Sequence, residues 1–433
     1  MDLVILFVFM IGFLFIVLEH PIKIDKAASA LLTGGICWSL YALSGSTEHA
    51  NEDLLSHLSE IAGILFFLLG AMTIVELVDA HDGFSIMTDL IKTRNRVALL
   101  WIIALLTFFL SALLDNLTTA IVMISLLKKL IDNKEMRWFY AGMVVIAANA
   151  GGAWSPIGDV TTTMLWIKGQ LPHAGAIITN LFIPSLVCLG VPLIVLSVMM
   201  KGDINAPRER MMPGNGNNPC TLFERNLVFF MGLASMFFVP VFKTVTHLPP
   251  FMGMMLSLGV LWTITEFIHR NKPLEEKGPL SVLGVLRKID TASILFFLGI
   301  LLAVSTLQET GILGMLASAL SATFTGSHGI YVINILIGIL SAVVDNVPLV
   351  AAVQGMYPIT TAAGPFAQDG IFWQFLAYCA GTGGSAFIIG SAAGIAVMGL
   401  EKMDFIWYFR KITVLAMMGY LAGAAAFIVM HIL

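Results

Sequence analysis

The chain has 433 residues, of which 58% are hydrophobic and 12% charged, with a mean hydropathy of +0.91. Soluble domains carry roughly 25% charged residues, so a water-soluble globular protein is excluded, and long continuous apolar runs exclude a β-barrel of short alternating strands. The net charge of −4, with its basic residues scattered among loops, argues against nucleic acid, and four isolated cysteines suggest neither a disulfide framework nor a zinc site.

An all-α polytopic membrane protein is therefore expected. Runs near the ~20 apolar residues needed to cross a bilayer predict spanning helices at 3–18, 27–43, 57–77, 138–167, 177–200, 226–242, 251–268, 290–306, 371–400 and 412–430. Residues 3–18 lack a basic leader and a small-residue cleavage site, so they read as a membrane helix rather than a signal peptide. Two further apolar segments, 96–131 and 329–356, carry Asp115-Asn116 and Asp345-Asn346 at their centres.

Basic residues set the expected topology. Six loops hold 21 of the 23 Lys and Arg residues, leaving only Lys168 and Lys243 on the other side. Lys23 and Lys26 count among the loop residues. Basic clusters flank 96–131 at both ends, whereas the loops around 329–356 contain none. Both segments are thus expected to be re-entrant hairpins, inserted from opposite sides, with the N- and C-termini outside.

SALLDNLTTA at 111–120 returns as SAVVDNVPLVAA at 341–352. ILFF at 64–67 returns at 294–297, and Gly151, Gly152 and Gly158 match Gly383, Gly384 and Gly390. These repeats predict two inverted halves, 1–200 and 226–433, joined by a linker at 201–225. Each half has five spanning helices, one of them broken (138–167 and 371–400), and one hairpin. Inverted repeats with broken helices meeting at the midplane are the architecture of secondary transporters.

A carboxylate at membrane depth costs several kcal/mol unless partnered or hydrated, so it marks function by default. The first hairpin offers Ser111, Asp115, Asn116, Thr118 and Thr119, and the broken helix beyond it offers Asn149, Asp159, Thr161, Thr162 and Thr163. The second half offers Ser341, Asp345, Asn346, Thr382 and Ser385, with neutral Ser391 where the first half has Asp159. These hard oxygen ligands suit hard cations. Three acids would repel an anionic substrate. Desolvation and mutual repulsion should bring at least one aspartate within range of a proton, and competition of proton and sodium for one site makes an antiporter. Glu76 is a candidate for a proton path.

The motifs SALLDNLTTAIV, SAVVDNVPLVAA and NAGGAWSPIGDVTTTMLW resemble those of the NhaD-type sodium/proton antiporters, within the ion transporter superfamily. The resemblance covers nearly the whole chain. It implies a transporter rather than an enzyme, with no cofactor, moving sodium, lithium and protons across the bacterial inner membrane. It also implies a homodimer built from a scaffold and an elevator-like transport domain. By motif position it assigns function to Asp115, Asn116, Asn149, Asp159, Thr161 and Thr162, and to Ser341, Asp345, Asn346, Thr382 and Ser385. Sodium would sit at Asp115, Asp159 and Asp345. Anion symporters of the superfamily have Ser-Asn-Thr where this chain has Asp-Asn, so sodium-coupled anion symport is the second reading and a hairpin-filter channel the third.

Plainer roles compete at each position. Asp115 and Asp345 can simply cap the half-helices that follow them, and the threonines can satisfy backbone carbonyls. Glu60 is expected at an interface, as are His20, His49, His57, His81 and His269, which read as solvated. The segments 80–95 and 307–325 read as amphipathic surface helices and as candidate arms between scaffold and transport domain.

Overall fold

The computed structural model describes residues 2–44, 47–86, 91, 93, 95–200, 202–203, 220–324 and 328–432. Helices α1 (Asp2–Val17), α2 (Glu19–Ile22), α3 (Lys26–Leu43) and α4 (Thr47–Ala80) come first. Next are α5 (Arg96–Leu114), α6 (Asn116–Leu130), α7 (Lys134–Ala153), α8 (Val160–Ile167) and α9 (Ala174–Met199). After the linker stand α10 (Leu222–Thr246), α11 (Pro250–Ile268), and the short α12 (Leu274–Leu280) and α13 (Val282–Leu286). The chain continues through α14 (Thr291–Glu309), α15 (Ile312–Thr323), α16 (Gly329–Leu340) and α17 (Asn346–Met356). It closes with α18 (Ile371–Gly383), α19 (Ala392–Glu401), α20 (Phe405–Lys411) and α21 (Thr413–Ile432).

Among the described residues, seven helices are long and apolar enough to cross a bilayer: α4, α5, α9, α10, α11, α14 and α21. This is a multi-pass membrane protein. The ten spans expected from sequence differ for a physical reason. The runs 138–167 and 371–400 are each split in two, α1 has only 16 residues, and α3, over the expected run 27–43, opens on a lysine and falls outside the seven, whereas α5, expected as a hairpin arm, is among them. The helix expected at 57–77 extends over Thr47–Ala80 instead.

The chain doubles back at both Asp-Asn pairs. The Tyr140 hydroxyl near the start of α7 donates to the Arg96 carbonyl at the start of α5 (2.7 Å). Since only residues 131–133 separate α6 from α7, the two arms of the hairpin α5–α6 begin and end together. The second hairpin, α16–α17, closes in the same way. Asn334 of α16 donates to the Phe372 carbonyl at the head of α18 (3.3 Å), and Tyr357, just past α17, packs on Phe372 (4.9 Å).

Ion pairs fix the direction of the broken helices. Arg137 at the start of α7 holds Glu401 at the end of α19 (2.8 Å), and Lys128 of α6 donates to the Leu400 carbonyl (2.8 Å). At the opposite end, Gln170 beyond α8 accepts from the Asp369 amide just before α18 (2.8 Å). Hence α7–α8 and α18–α19 run antiparallel. The end holding Arg137, Lys128, Arg410 and Lys411 is called the basic end. Lys168, paired with Glu60 (3.0 Å), and Lys243, donating to the Trp166 carbonyl (2.9 Å), mark the far end. Glu60 is half exposed there (53%), as its interfacial reading requires.

Around this bundle, α3 packs along α14 with Gly299 against the Ala30 backbone, and the Trp38 indole donates to the Leu302 carbonyl (2.9 Å). One expectation fails at the basic end. His81 and His269 are not solvated but buried, 0% and 1% exposed, with their Nε2 atoms 2.9 Å apart. Each follows the last residue of a spanning helix, and the packing of α4 on α11 closes over both. In segment 80–95, residues 81–84 form a turn and residues 87–90, 92 and 94 lie outside the described residues, as does most of linker 201–225, whereas 307–325 contains α15 at the far end.

Candidate ion-binding site

Four helix breaks converge on the centre of the bundle, and a side-chain oxygen caps the helix after each one. Asp115 accepts from the Thr118 amide (2.8 Å), Asp159 from Thr161 (2.9 Å), Asp345 from Val347 (3.2 Å) and Ser391 from Gly394 (3.2 Å). The capping role weighed for Asp115 and Asp345 is therefore present. It places each oxygen at the partial positive charge of a helix N-terminus, where a carboxylate is favoured. Asp115 itself has φ +84°, a conformation that L residues rarely adopt. Such strain costs about 1–3 kcal/mol and persists only where the surroundings enforce it.

Asp159 lies at the middle of the network, 1% exposed. Its Oδ2 accepts from Asn116 Nδ2 (2.9 Å). Its Oδ1 accepts from the Thr161 hydroxyl (2.8 Å) and, at the limit, from Asn346 Nδ2 (3.5 Å). Asn149 accepts from Asn116 (3.1 Å) and donates to the hydroxyls of Ser385 and Ser391 (2.9 Å each). Both hairpins and both broken helices thus share one buried polar network.

Close backbone approach makes it possible. A methyl on Gly151 would overlap the Phe108 carbonyl, and one on Gly383 would overlap the Gly338 carbonyl. Gly158 lies on the Ser111 carbonyl and Gly390 on that of Ala342. Ser111 donates to the Ala148 carbonyl (2.6 Å) and Ser341 to that of Ala380 (2.9 Å).

Of the residues singled out from sequence, Asp115, Asn116, Asn149, Asp159, Thr161, Asp345, Asn346 and Ser385 gather at the meeting point of the tips. Thr162, Thr163 and Thr382 instead donate to the carbonyls of Ala153 (3.5 Å), Pro156 (2.9 Å) and Tyr378 (2.6 Å). Ser391, the neutral residue where the first half has Asp159, accepts from both the Gly394 amide and Asn149. Among the described residues, no three His, Cys, Asp or Glu side chains cluster as a metal centre would require.

A small cavity of about 50 Å³ touches Asp115, Asn116, Asp159, Asp345 and Asn346. Beside it, sharing Lys26, Leu117 and Thr118, a cavity of about 520 Å³ extends among Glu19, Glu76, Asp79, Lys288 and Asp290. Glu76 is one-third exposed in it, 4.0 Å from Lys288.

Lys26 was missed in the sequence, where it counts as a loop residue. It is the first residue of α3, and its Nζ lies 3.4 Å from Asp345 Oδ2. No local signal reveals this, because the partners are 319 residues apart.

Residues 3–381 match the family model described as citrate transporter (CitMHS). The chain is 48% identical to "Sodium/proton antiporter 1" of Arabidopsis thaliana, covering 99% of this chain and 73% of that one. It is 45% identical to "Sodium/proton antiporter 2" of the same plant, covering 98% of each. It is 31% identical to "Na(+)/H(+) antiporter NhaD" of Vibrio cholerae, covering 99% of this chain and 91% of that one. Matched by the family model over residues 3–381 and 31% identical or more to these antiporters over nearly its whole length, the chain belongs to the citrate transporter family and is a membrane transporter of the NhaD type.

Proposed function

We propose that the protein exchanges sodium, and lithium in its place, for protons. The observation that carries this reading is the placement of Asp115, Asp159 and Asp345 around one small cavity where two hairpin tips meet two broken helices. A proton or a cation neutralises a carboxylate there, and both compete for the same oxygens. Neutral donors surround Asp159 (Asn116, Asn346 and Thr161), so its charge is held in place without being cancelled. The relatives' names agree with this chemistry. The family's name points to citrate, but a tricarboxylate needs several cationic partners. Among the described residues the one ammonium at this cavity, Lys26, is already on Asp345.

The matched contacts of Gly151 and Gly383, and of Ser111 and Ser341, support reading the halves 1–200 and 226–433 as inverted repeats. The antiparallel course of α7–α8 and α18–α19 supports it further. On this reading the hairpins and broken helices, with α21 bonded to them through Tyr420 and Thr413 and α9 packed beside it, form the transport domain, which moves as an elevator against a scaffold in a homodimer. The basic end faces the cytoplasm of a bacterial inner membrane, with both termini on the other side.

The test is acridine fluorescence in vesicles energised with a proton gradient. Sodium and lithium should dissipate the gradient, and potassium should have no effect. A gradient indifferent to sodium, together with sodium-dependent citrate uptake, would replace this reading by anion symport.

A further inference from the structure

The two hairpin tips differ in how their carboxylates are satisfied. In the first, Thr118 supplies both its amide and its hydroxyl to Asp115, each at 2.8 Å. In the second, the matching position is Pro348, which has neither an N–H nor a hydroxyl. Among the described residues Asp345 Oδ1 keeps only the Val347 amide (3.2 Å), and Oδ2 is left to the Lys26 ammonium at 3.4 Å. The pair is largely enclosed, with 19% and 16% of the two side chains exposed. Lys26 Nζ also stands 4.5 Å from the centre of the Phe296 ring of α14. An ammonium desolvated over an aromatic face in this way is held by more than one attraction.

We infer that Lys26 is a built-in counter-cation for Asp345, holding the second hairpin to α3 until a sodium ion displaces it. This role rests on sodium being the cargo. The ammonium and the ion seek the same oxygen, so the empty hairpin tip is pinned and the loaded one is free. A lysine suits this task, because it is a compact point charge on a flexible four-carbon stem. Lys26 borders both the small cavity of Asp345 and the large cavity lined by Glu76 and Asp290, so its displaced ammonium has acidic company nearby. Helix α3 cannot follow the hairpin easily. Its Gly34 lies against the Gly299 carbonyl of α14, and its Cys37 lies on the Ile5 carbonyl of α1. In an exchanger, pinning the empty tip forbids the unloaded return step, which would otherwise uncouple sodium from its counter-ion.

The test uses the purified full chain and radiolabelled sodium. Lys26→Gln should bind sodium roughly tenfold more tightly, the scale of one partly enclosed ion pair. In proteoliposomes the same variant should let sodium leak downhill without a counter-ion. In an Asp345→Asn background, Lys26→Gln should change nothing further. Unchanged affinity in Lys26→Gln, or equal tightening with Asp345 already removed, would overturn the inference while leaving sodium exchange intact. A wild type that binds no sodium would instead sink the cargo reading itself. The wild type offers a second readout that requires no variant to fold. Sodium, but not choline, should increase acylation of Lys26 by an amine-reactive reagent severalfold, measured by mass spectrometry. Equal labelling in both salts would overturn the inference.

Discussion

At the scale of single residues, the network assigns unequal roles to positions that look equivalent in sequence. Asp159 accepts from two asparagines and from both the amide and the hydroxyl of Thr161. Asp159→Asn would present an N–H₂ group to donors that have nothing to accept, so shape is kept and the network is broken. Exchange should fall to background in vesicles, while the purified variant still elutes as folded protein. Retained exchange would remove Asp159 from the ion site. Its counterpart Ser391 caps α19 through the Gly394 amide (3.2 Å) and accepts from Asn149 (2.9 Å). Ser391→Ala loses both, and a lost cap alone costs about 1 kcal/mol. The variant should therefore lower the thermal midpoint measurably, as well as weaken apparent sodium affinity. An unchanged midpoint would show that the cap is dispensable.

The Asp-Asn pairs are legible in the sequence because an acid in an apolar run is conspicuous whatever it touches. Partnerships are not. Lys26 reads as one more loop lysine, since nothing in residues 23–30 reports that Asp345 is nearby. His81 and His269 read as interfacial because each follows a spanning helix. Only the packing of α4 on α11, 188 residues apart in sequence, buries them together. Thr162 and Thr382 were legible as polar groups in a break, but the direction of a hydroxyl depends on which carbonyl the break leaves free.

At the scale of elements, helix contacts depend on glycine where backbones meet and are indifferent to it elsewhere. Gly383→Ala would drive a methyl into the Gly338 carbonyl between α18 and α16, and Gly151→Ala would do the same between α7 and α5. Overpacking against unyielding backbone costs about 1–3 kcal/mol. Gly259 of α11 has nothing within 4 Å of the methyl position, and Gly→Ala inside a helix gains up to about 1 kcal/mol. Gly383→Ala should therefore lower the thermal midpoint and Gly259→Ala should leave it unchanged or raise it. The reverse order would refute the contacts described between the hairpins and the broken helices.

The histidine contact between α4 and α11 gives the basic end an acid-sensitive joint. His81 Nδ1 donates to the Leu77 carbonyl (2.7 Å), so its Nε2 is left to accept from His269 Nε2. His269 Nδ1 makes no hydrogen bond among the described residues and stands 3.7 Å from Glu224, which Lys272 holds at 2.7 Å. Burial pushes the His81 imidazole below its ordinary range. Burial, then the nearby Lys272 and His81, push His269 down to about 4. Both folded-state values lie below those of the unfolded chain, so the unfolded chain binds protons first. Stability from this joint is complete above about pH 6.5 and is lost as pH falls from there toward 4. The loss at pH 5 should be on the order of 2 kcal/mol, read as a falling thermal midpoint between pH 7 and 5. His269→Gln should flatten that slope, and a slope equally steep in the variant would place the sensitivity elsewhere.

At the scale of the whole molecule, the two hairpins must open toward opposite sides if the halves are inverted. The loop after α6 leads directly into Arg137 and its partner Glu401, at the basic end. The loop after α17 carries Asp369, whose amide meets Gln170 at the far end (2.8 Å). Asp132 and Pro365 are both exposed, one in each loop. Cys37, Cys188 and Cys379 are buried, so only Cys220 needs replacement to give a quiet background. A cysteine at 132 should react with a membrane-impermeant maleimide only in everted vesicles, and one at 365 only in right-side-out vesicles. Basic residues are retained on the cytoplasmic side, and the crowding of Arg137, Lys128, Arg410 and Lys411 at one end sets which label belongs to which vesicle. Labelling of both positions from one side would mean that the hairpins enter together, and two tips entering together could not alternate access to the aspartates between them.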